Sequence, residues 1–156
     1  MSRKQIIGVI GAGDASEEGL QNAYRVGALI AEAGAVLLCG GLGGVMEAAS
    51  RGCFEAGGEV MGILPGLSAE DANPYVTLPV VTNMGHARNV IIAHTADALI
   101  AIEGEYGTLS EMAISLKLGK TVVQLNSWRQ LTDALEFETP EEAVATALRS
   151  LPGGKK

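Results

Sequence analysis

The chain has 156 residues, 47% hydrophobic and 19% charged, which suits one globular domain and excludes a disordered polymer. Its formal charge of −7, with no basic stripe, argues against binding nucleic acid or an anionic membrane surface. No apolar run reaches the ~20 residues of a membrane span, and Cys39 and Cys53 are too few for a disulfide framework or a zinc site; a cytoplasmic protein is expected.

Residues 6–10 read as a buried strand rather than a leader peptide, because Asp14, Glu17 and Glu18 follow at once. Asp14 and Glu17 then have capping-box spacing, and a helix is expected over 16–33, stopped by Gly34. A second strand over 35–39 runs into Gly40-Gly41-Leu42-Gly43-Gly44, and a helix follows over 45–55. A third strand is expected over 59–64, a polar loop over 65–74, and a fourth extended segment over 75–81.

A helix over 85–95 precedes a fifth strand over 98–102. Gly104-Glu105-Tyr106-Gly107-Thr108 comes next, then a helix over 109–118 and a sixth strand over 121–125. Thr139-Pro140-Glu141-Glu142 marks the last helix, with Thr139 as N-cap and Pro140 at N1, ending near 150. The strands are continuous apolar runs. That predicts a Rossmann-like, doubly wound, mainly parallel sheet of about six to seven strands with helices on both faces. Residues 1–150 are expected to form one domain, and 151–156 a flexible tail.

Ligands of such sheets bind at the carboxyl ends of the strands, where both glycine turns fall. Helix N-termini beyond them offer unpaired N–H groups to an anion. Gly40, Gly41, Gly43 and Gly44, with Met46 behind them, are therefore expected to cradle a phosphate. Gly8-x-x-Gly11-x-Gly13 lacks the third glycine of a dinucleotide fingerprint, since position 16 is Ser16. It reads as a tight turn whose Gly11 and Gly13 line the same site.

Arg88 opens the helix after the fourth extended segment and suits either a phosphate or a surface ion pair. His86 and His94 share a helix face, but without a third ligand they make no metal site. Thr108 and Glu111 have two readings. They are a capping box, or a hydroxyl and a carboxylate at the mouth of the site. Gly104, Tyr106 and Gly107 complete the second loop as ligand contacts.

These segments follow one another in the order Gly40-Gly41-Leu42-Gly43-Gly44-Val45-Met46, Gly62-Ile63-Leu64-Pro65, Arg88, then Tyr106-Gly107-Thr108-Leu109-Ser110-Glu111. Over most of its length the chain resembles the LONELY GUY (lysine-decarboxylase-like) family. The likeness is to its short branch typified by the molybdenum-cofactor carrier protein. The resemblance implies a homodimer or higher homo-oligomer. It also implies a small phosphorylated ligand, with a nucleotide or the molybdenum cofactor as candidates and no cofactor required.

Characterised members hydrolyse nucleoside 5′-monophosphates to a free base and ribose 5-phosphate. Their catalytic arginine and glutamate fall on Arg88 and Glu111. The second loop departs from theirs, with Glu103 in place of proline and Glu105 in place of glycine, and Glu47 replaces a glycine after the first loop. A carboxylate ~6 Å from a phosphate costs about 0.7 kcal/mol at ε ≈ 80 and about 3 at ε ≈ 20. Glu105 would also be strained if the loop needed positive φ. Two functions follow: a binding protein for a phosphorylated nucleotide-like or pterin-type ligand, or a phosphoribohydrolase acting through Arg88 and Glu111. A DNA-handling role fits the charge poorly.

Overall fold

The computed structural model describes residues 2–151. Seven strands among them form one sheet: β1 (Ile6–Gly11), β2 (Val36–Cys39), β3 (Val60–Leu64), β4 (Leu78–Val81), β5 (Ala98–Ile102), β6 (Thr121–Leu125) and β7 (Leu135–Glu136). Their spatial order is β4-β3-β2-β1-β5-β6-β7, and every pairing is parallel. Five helices cover the sheet: α1 (Glu17–Glu32), α2 (Val45–Glu55), α3 (Arg88–Thr95), α4 (Tyr106–Lys117) and α5 (Pro140–Arg149). This is the predicted Rossmann-like architecture.

The continuous apolar runs have a direct cause. Strand β1 sends Ile7 and Val9 to a core shared with Val26 and Ile30 of α1, Ala49 of α2 and Val144 of α5. It sends Ile10 to a second core with Ile92 of α3 and Met112 of α4. Both faces are dry, so neither needs polar residues. The chain winds outward from β1 to β4, then crosses to β5 on the other side of β1. Gly11 and Ile102 stand side by side where the connections diverge, and that divergence opens a crevice at the carboxyl edge.

Several predicted boundaries move. Asp14 is not the N-cap of α1; Ser16 is, and its hydroxyl accepts from the Gly19 N–H at 3.0 Å. The reason lies across the sheet edge. The Glu103 carboxylate accepts from the Ser16 N–H at 3.0 Å and from the Ser16 hydroxyl at 2.6 Å, which holds Ser16 at the helix mouth. Helix α4 starts at Tyr106, so the expected Thr108–Glu111 capping box does not exist. Glu105 holds the N-cap position with no side-chain bond, and Thr108 lies inside the first turn.

The fourth extended segment contracts to Leu78–Val81, an edge strand with exposed side chains and Pro79 within it. Helix 85–95 opens as a 3-10 turn, Gly85–Ala87. Thr139 does cap α5, accepting from Glu142 N–H at 3.3 Å. Leu151, assigned to the tail, is buried, and the rest of that tail lies outside the described residues.

Helices α1 and α2 cross with almost no side chain between them. A Cβ on Gly27 would stand 1.9 Å from the Ala49 carbonyl oxygen, and one on Gly52 1.9 Å from that of Tyr24. Gly27→Ala is therefore expected to cost about 2–3 kcal/mol of stability, because overpacking forces the backbones apart. Urea titration measures it, and an unchanged midpoint would contradict the crossing.

Candidate functional site

A cleft of about 360 Å³ opens in the crevice. Its floor is the end of β1, from Val9 through Ile10 and Gly11 to the turn at Ala12, Gly13 and Asp14. Gly40 and Met46 come from the first glycine turn and α2. His86, Arg88 and Asn89 come from the start of the third helical segment, and Glu105, Gly107, Thr108 and Glu111 from the start of α4.

Of the predicted site residues, Gly11, Gly13, Gly40, Met46, Arg88, Gly107, Thr108 and Glu111 meet in this cleft. Gly41, Gly43, Gly44, Gly104 and Tyr106 do not line it. Gly41 is buried against Leu64, and Gly43 is exposed. Gly44 lies on the Ala12–Gly13 backbone and borders a separate hollow between α1 and α2, together with Glu47. Gly104, at φ +105°, packs on Thr108 and sets the entry angle of α4. Tyr106 points outward, 80% exposed, its ring 6.0 Å from that of Trp128.

Asp14, His86 and Asn89 join the site beyond the sequence expectation, whereas Glu105 lies in the second loop that the sequence marks. The spacing points Asp14 to a helix cap, and no spacing rule singles out His86 or Asn89, although Asn89 adjoins Arg88.

Arg88 is buried yet has no carboxylate partner among the described residues. Its Nη1 donates to Asn89 Oδ1 at 2.8 Å and its Nη2 to the Gly40 carbonyl at 3.4 Å. Its Nε has no hydrogen-bond partner. Asn89 in turn donates to Ser110 Oγ at 3.2 Å, and Ser110 Oγ donates to the Gly107 carbonyl at 2.6 Å. One chain of bonds thus runs from the arginine to the second glycine turn. A Cβ on Gly40 would stand 2.7 Å from Arg88 Nη2 and 2.9 Å from Met46 Sδ, so one or both side-chain ends would have to shift.

Glu111 faces Arg88 from α4. It is 9% exposed, and its carboxyl makes no hydrogen bond among the described residues. Burial pushes its pKa up to about 8, with the Arg88 charge opposing. Burial lowers that of Arg88, with Glu111 and Cys39 opposing. The Cys39 thiol at the end of β2 is pushed up by burial and is inert at neutral pH.

The two unexpected glutamates of the second loop behave differently. Glu103 sits at φ +53° and turns its carboxylate away from the cleft onto Ser16. Glu105 lines the rim at φ −117°, so the anticipated backbone strain does not arise. Neither α2 nor α4 has a side-chain cap, and in α2 the Val45 N–H donates to the Ala12 carbonyl at 2.9 Å.

The raised pKa of Glu111 sets a sign. The folded state holds the proton more tightly than the unfolded chain, so the contribution is full below pH 4.5 and is lost as pH rises towards 8. Glu111→Gln escapes that loss. Its stability relative to the wild type is expected to improve by up to about 4 kcal/mol between pH 4.5 and 8. Melting curves across that range measure it, and a constant difference would overturn the assignment.

The SLOG cluster4 family profile (LDcluster4) matches residues 4–150. An uncharacterised protein of Archaeoglobus fulgidus is 53% identical over 144 residues, covering 92% of this chain and 95% of that one. A cytokinin riboside 5′-monophosphate phosphoribohydrolase of Arabidopsis thaliana is 37% identical over 76 residues, covering 47% of this chain and 33% of that enzyme.

Among solved structures, the molybdenum cofactor binding protein of Rippkaea orientalis superposes with a TM-score of 0.89 at 38% identity, over 94% of this chain and 96% of that one. The Moco carrier protein of Chlamydomonas reinhardtii gives 0.86 at 35% identity, over 96% and 100%. These likenesses bear out the resemblance to the LONELY GUY-like family and its carrier-like branch.

Proposed function

The chain belongs to the SLOG cluster4 family, and on that footing we propose that its cleft binds a phosphorylated nucleotide-like or pterin-type ligand, such as a nucleotide or the molybdenum cofactor. The observation that carries this reading is Arg88, a buried guanidinium with no carboxylate partner and an unpartnered Nε, lining a cleft between two uncapped helix N-termini. A buried charge is stable only when paired, and an incoming anion supplies the pair. The Asn89–Ser110–Gly107 chain keeps the guanidinium in place before the ligand arrives. Gly40, Met46, Gly107 and Thr108 provide backbone approach on either side.

Hydrolysis of a nucleoside 5′-monophosphate is the second reading, supported by Arg88 and Glu111 sharing one cleft. Glu111 would then serve the scissile glycosidic bond. Its raised pKa favours binding over this chemistry, since a carboxyl still protonated at neutral pH is a poor base and carries no charge to stabilise a cationic ribose. A cytoplasmic location and a homo-oligomer remain part of the reading, the oligomer supported by exposed Leu78, Val80 and Val81 on the edge strand β4. No helix of the described residues is long and apolar enough to cross a membrane.

Calorimetry with AMP and with the molybdenum cofactor tests the reading. Saturable binding of at least one is expected, weakened at least about tenfold in Arg88→Ala, the scale of a charge-assisted bond. The folded wild type binding neither would sink it. Incubation with AMP separates the two functions. The binding reading expects no free base above a Glu111→Ala control, and steady release from the wild type alone would establish the hydrolase.

A further inference from the structure

Glu111 is the second buried ionisable group of the cleft, and its surroundings are poor in hydrogen-bond donors. Its carboxyl meets no N–H or O–H of the described residues, and no ion pair joins it to Arg88. The charged or titratable groups around the cleft are Arg88 on α3, His86 on the preceding turn, Cys39 at the end of β2, Asp14 after β1 and Glu105 before α4. Two carboxylates and a buried thiol face one arginine and one histidine. An ionised Glu111 would add a third carboxylate to this set, at a position where burial already penalises the charged form.

We propose that the cleft takes the dianionic form of a phosphate monoester while Glu111 holds a proton, so that the Glu111 O–H and the Arg88 guanidinium both donate to the ligand. This rests on the phosphorylated-ligand reading above and deepens it by stating the protonation state the site requires. Three arguments support it.

A dianion entering beside an ionised carboxylate would meet repulsion in a partly dry cleft, where charges act strongly. A protonated carboxyl removes that repulsion and supplies the donor that the dianion needs. The Arg88 guanidinium, which lines the same cleft, supplies the other. Finally, burial already favours the acid form in the free protein, with a pKa near 8. No bond is made or broken. The proton stays on Glu111, or is taken from solvent where the free carboxyl has lost it.

The consequence is a ligand affinity that falls above neutrality while the ligand itself is unchanged. AMP is a suitable probe, because its phosphate is fully dianionic well above its second pKa of about 6. If only the protonated cleft binds, affinity drops about 30-fold between pH 7 and 9.5. Calorimetry at pH 8.5 in buffers of different ionisation enthalpy should register proton uptake on binding. Glu111→Gln keeps a donor that cannot ionise, and its affinity should vary less than about threefold over the same range.

A flat wild-type profile, proton release on binding, or a Gln variant with the wild-type slope overturns the proposal. The proton-uptake measurement needs no variant and stands even if Glu111→Gln misfolds. Absence of AMP binding at pH 7 overturns this inference, and absence of molybdenum-cofactor binding as well overturns the phosphate reading with it, whereas a flat profile with intact binding overturns this inference alone.

Discussion

One carboxylate, that of Glu103, holds the two sides of the crevice to each other. It reaches from the end of β5 to the first residue of the α1 cap and receives both the N–H and the hydroxyl of Ser16. The contact is close enough that a Cβ on Gly19 would stand 2.0 Å from Glu103 Oε2. Its backbone adopts φ +53° to make the reach, a conformation that side-chain-bearing residues seldom adopt. The negative charge also sits at a helix N-terminus, where the partial positive charge of the helix favours it. The N-terminus of α1 is thereby satisfied from within the protein, whereas those of α2, α3 and α4 have no side-chain cap.

That arrangement governs the chemistry of the cleft. With Glu103 withdrawn to α1, the inner wall keeps one buried guanidinium and one buried carboxyl, each short of partners. The pair is asymmetric. Arg88 remains charged in spite of its burial, because guanidinium gives up its proton only far above neutrality. Burial pushes the pKa of Glu111 up to about 8, which favours its neutral form. Among the described residues, Arg88 is thus the one fixed cation of a cleft that Asp14, Glu105 and Glu111 also line. A binding protein and a hydrolase could share every one of these side chains and differ only in whether the carboxyl gives up its proton.

Much of the fold was legible because its causes are local. Ala98–Ile102 and Thr121–Leu125 are apolar runs that only a doubly covered sheet accommodates, and both strands end as expected. Thr139-Pro140 is a cap that names itself. The start of α4 was not legible. Its first turn has no side-chain cap, so the apparent Thr108–Glu111 box was a coincidence of spacing. Ser16 outcompeted Asp14 through a partner 87 positions away, which no window of sequence contains. In the site, Arg88 and Glu111 were visible as residue types, whereas Asn89 mattered only once Arg88 Nη1 was seen to donate to it. The glycines divided for the same reason: the sequence marks where a side chain is missing, but not whether a ligand or a neighbouring backbone fills the space.

The second loop is propped in a way that bears on how such proteins diversify. Ser127 Oγ donates to the Glu103 carbonyl at 2.6 Å, and Trp128 Nε1 donates to the Glu105 carbonyl at 3.1 Å. Both props grip the main chain, and a carbonyl is the same whatever side chain it belongs to. The loop's position is therefore largely independent of the side chain at 105, which sits at an ordinary backbone angle on the rim. Rim charge can therefore change at 105 by a single substitution while both main-chain props stay in place.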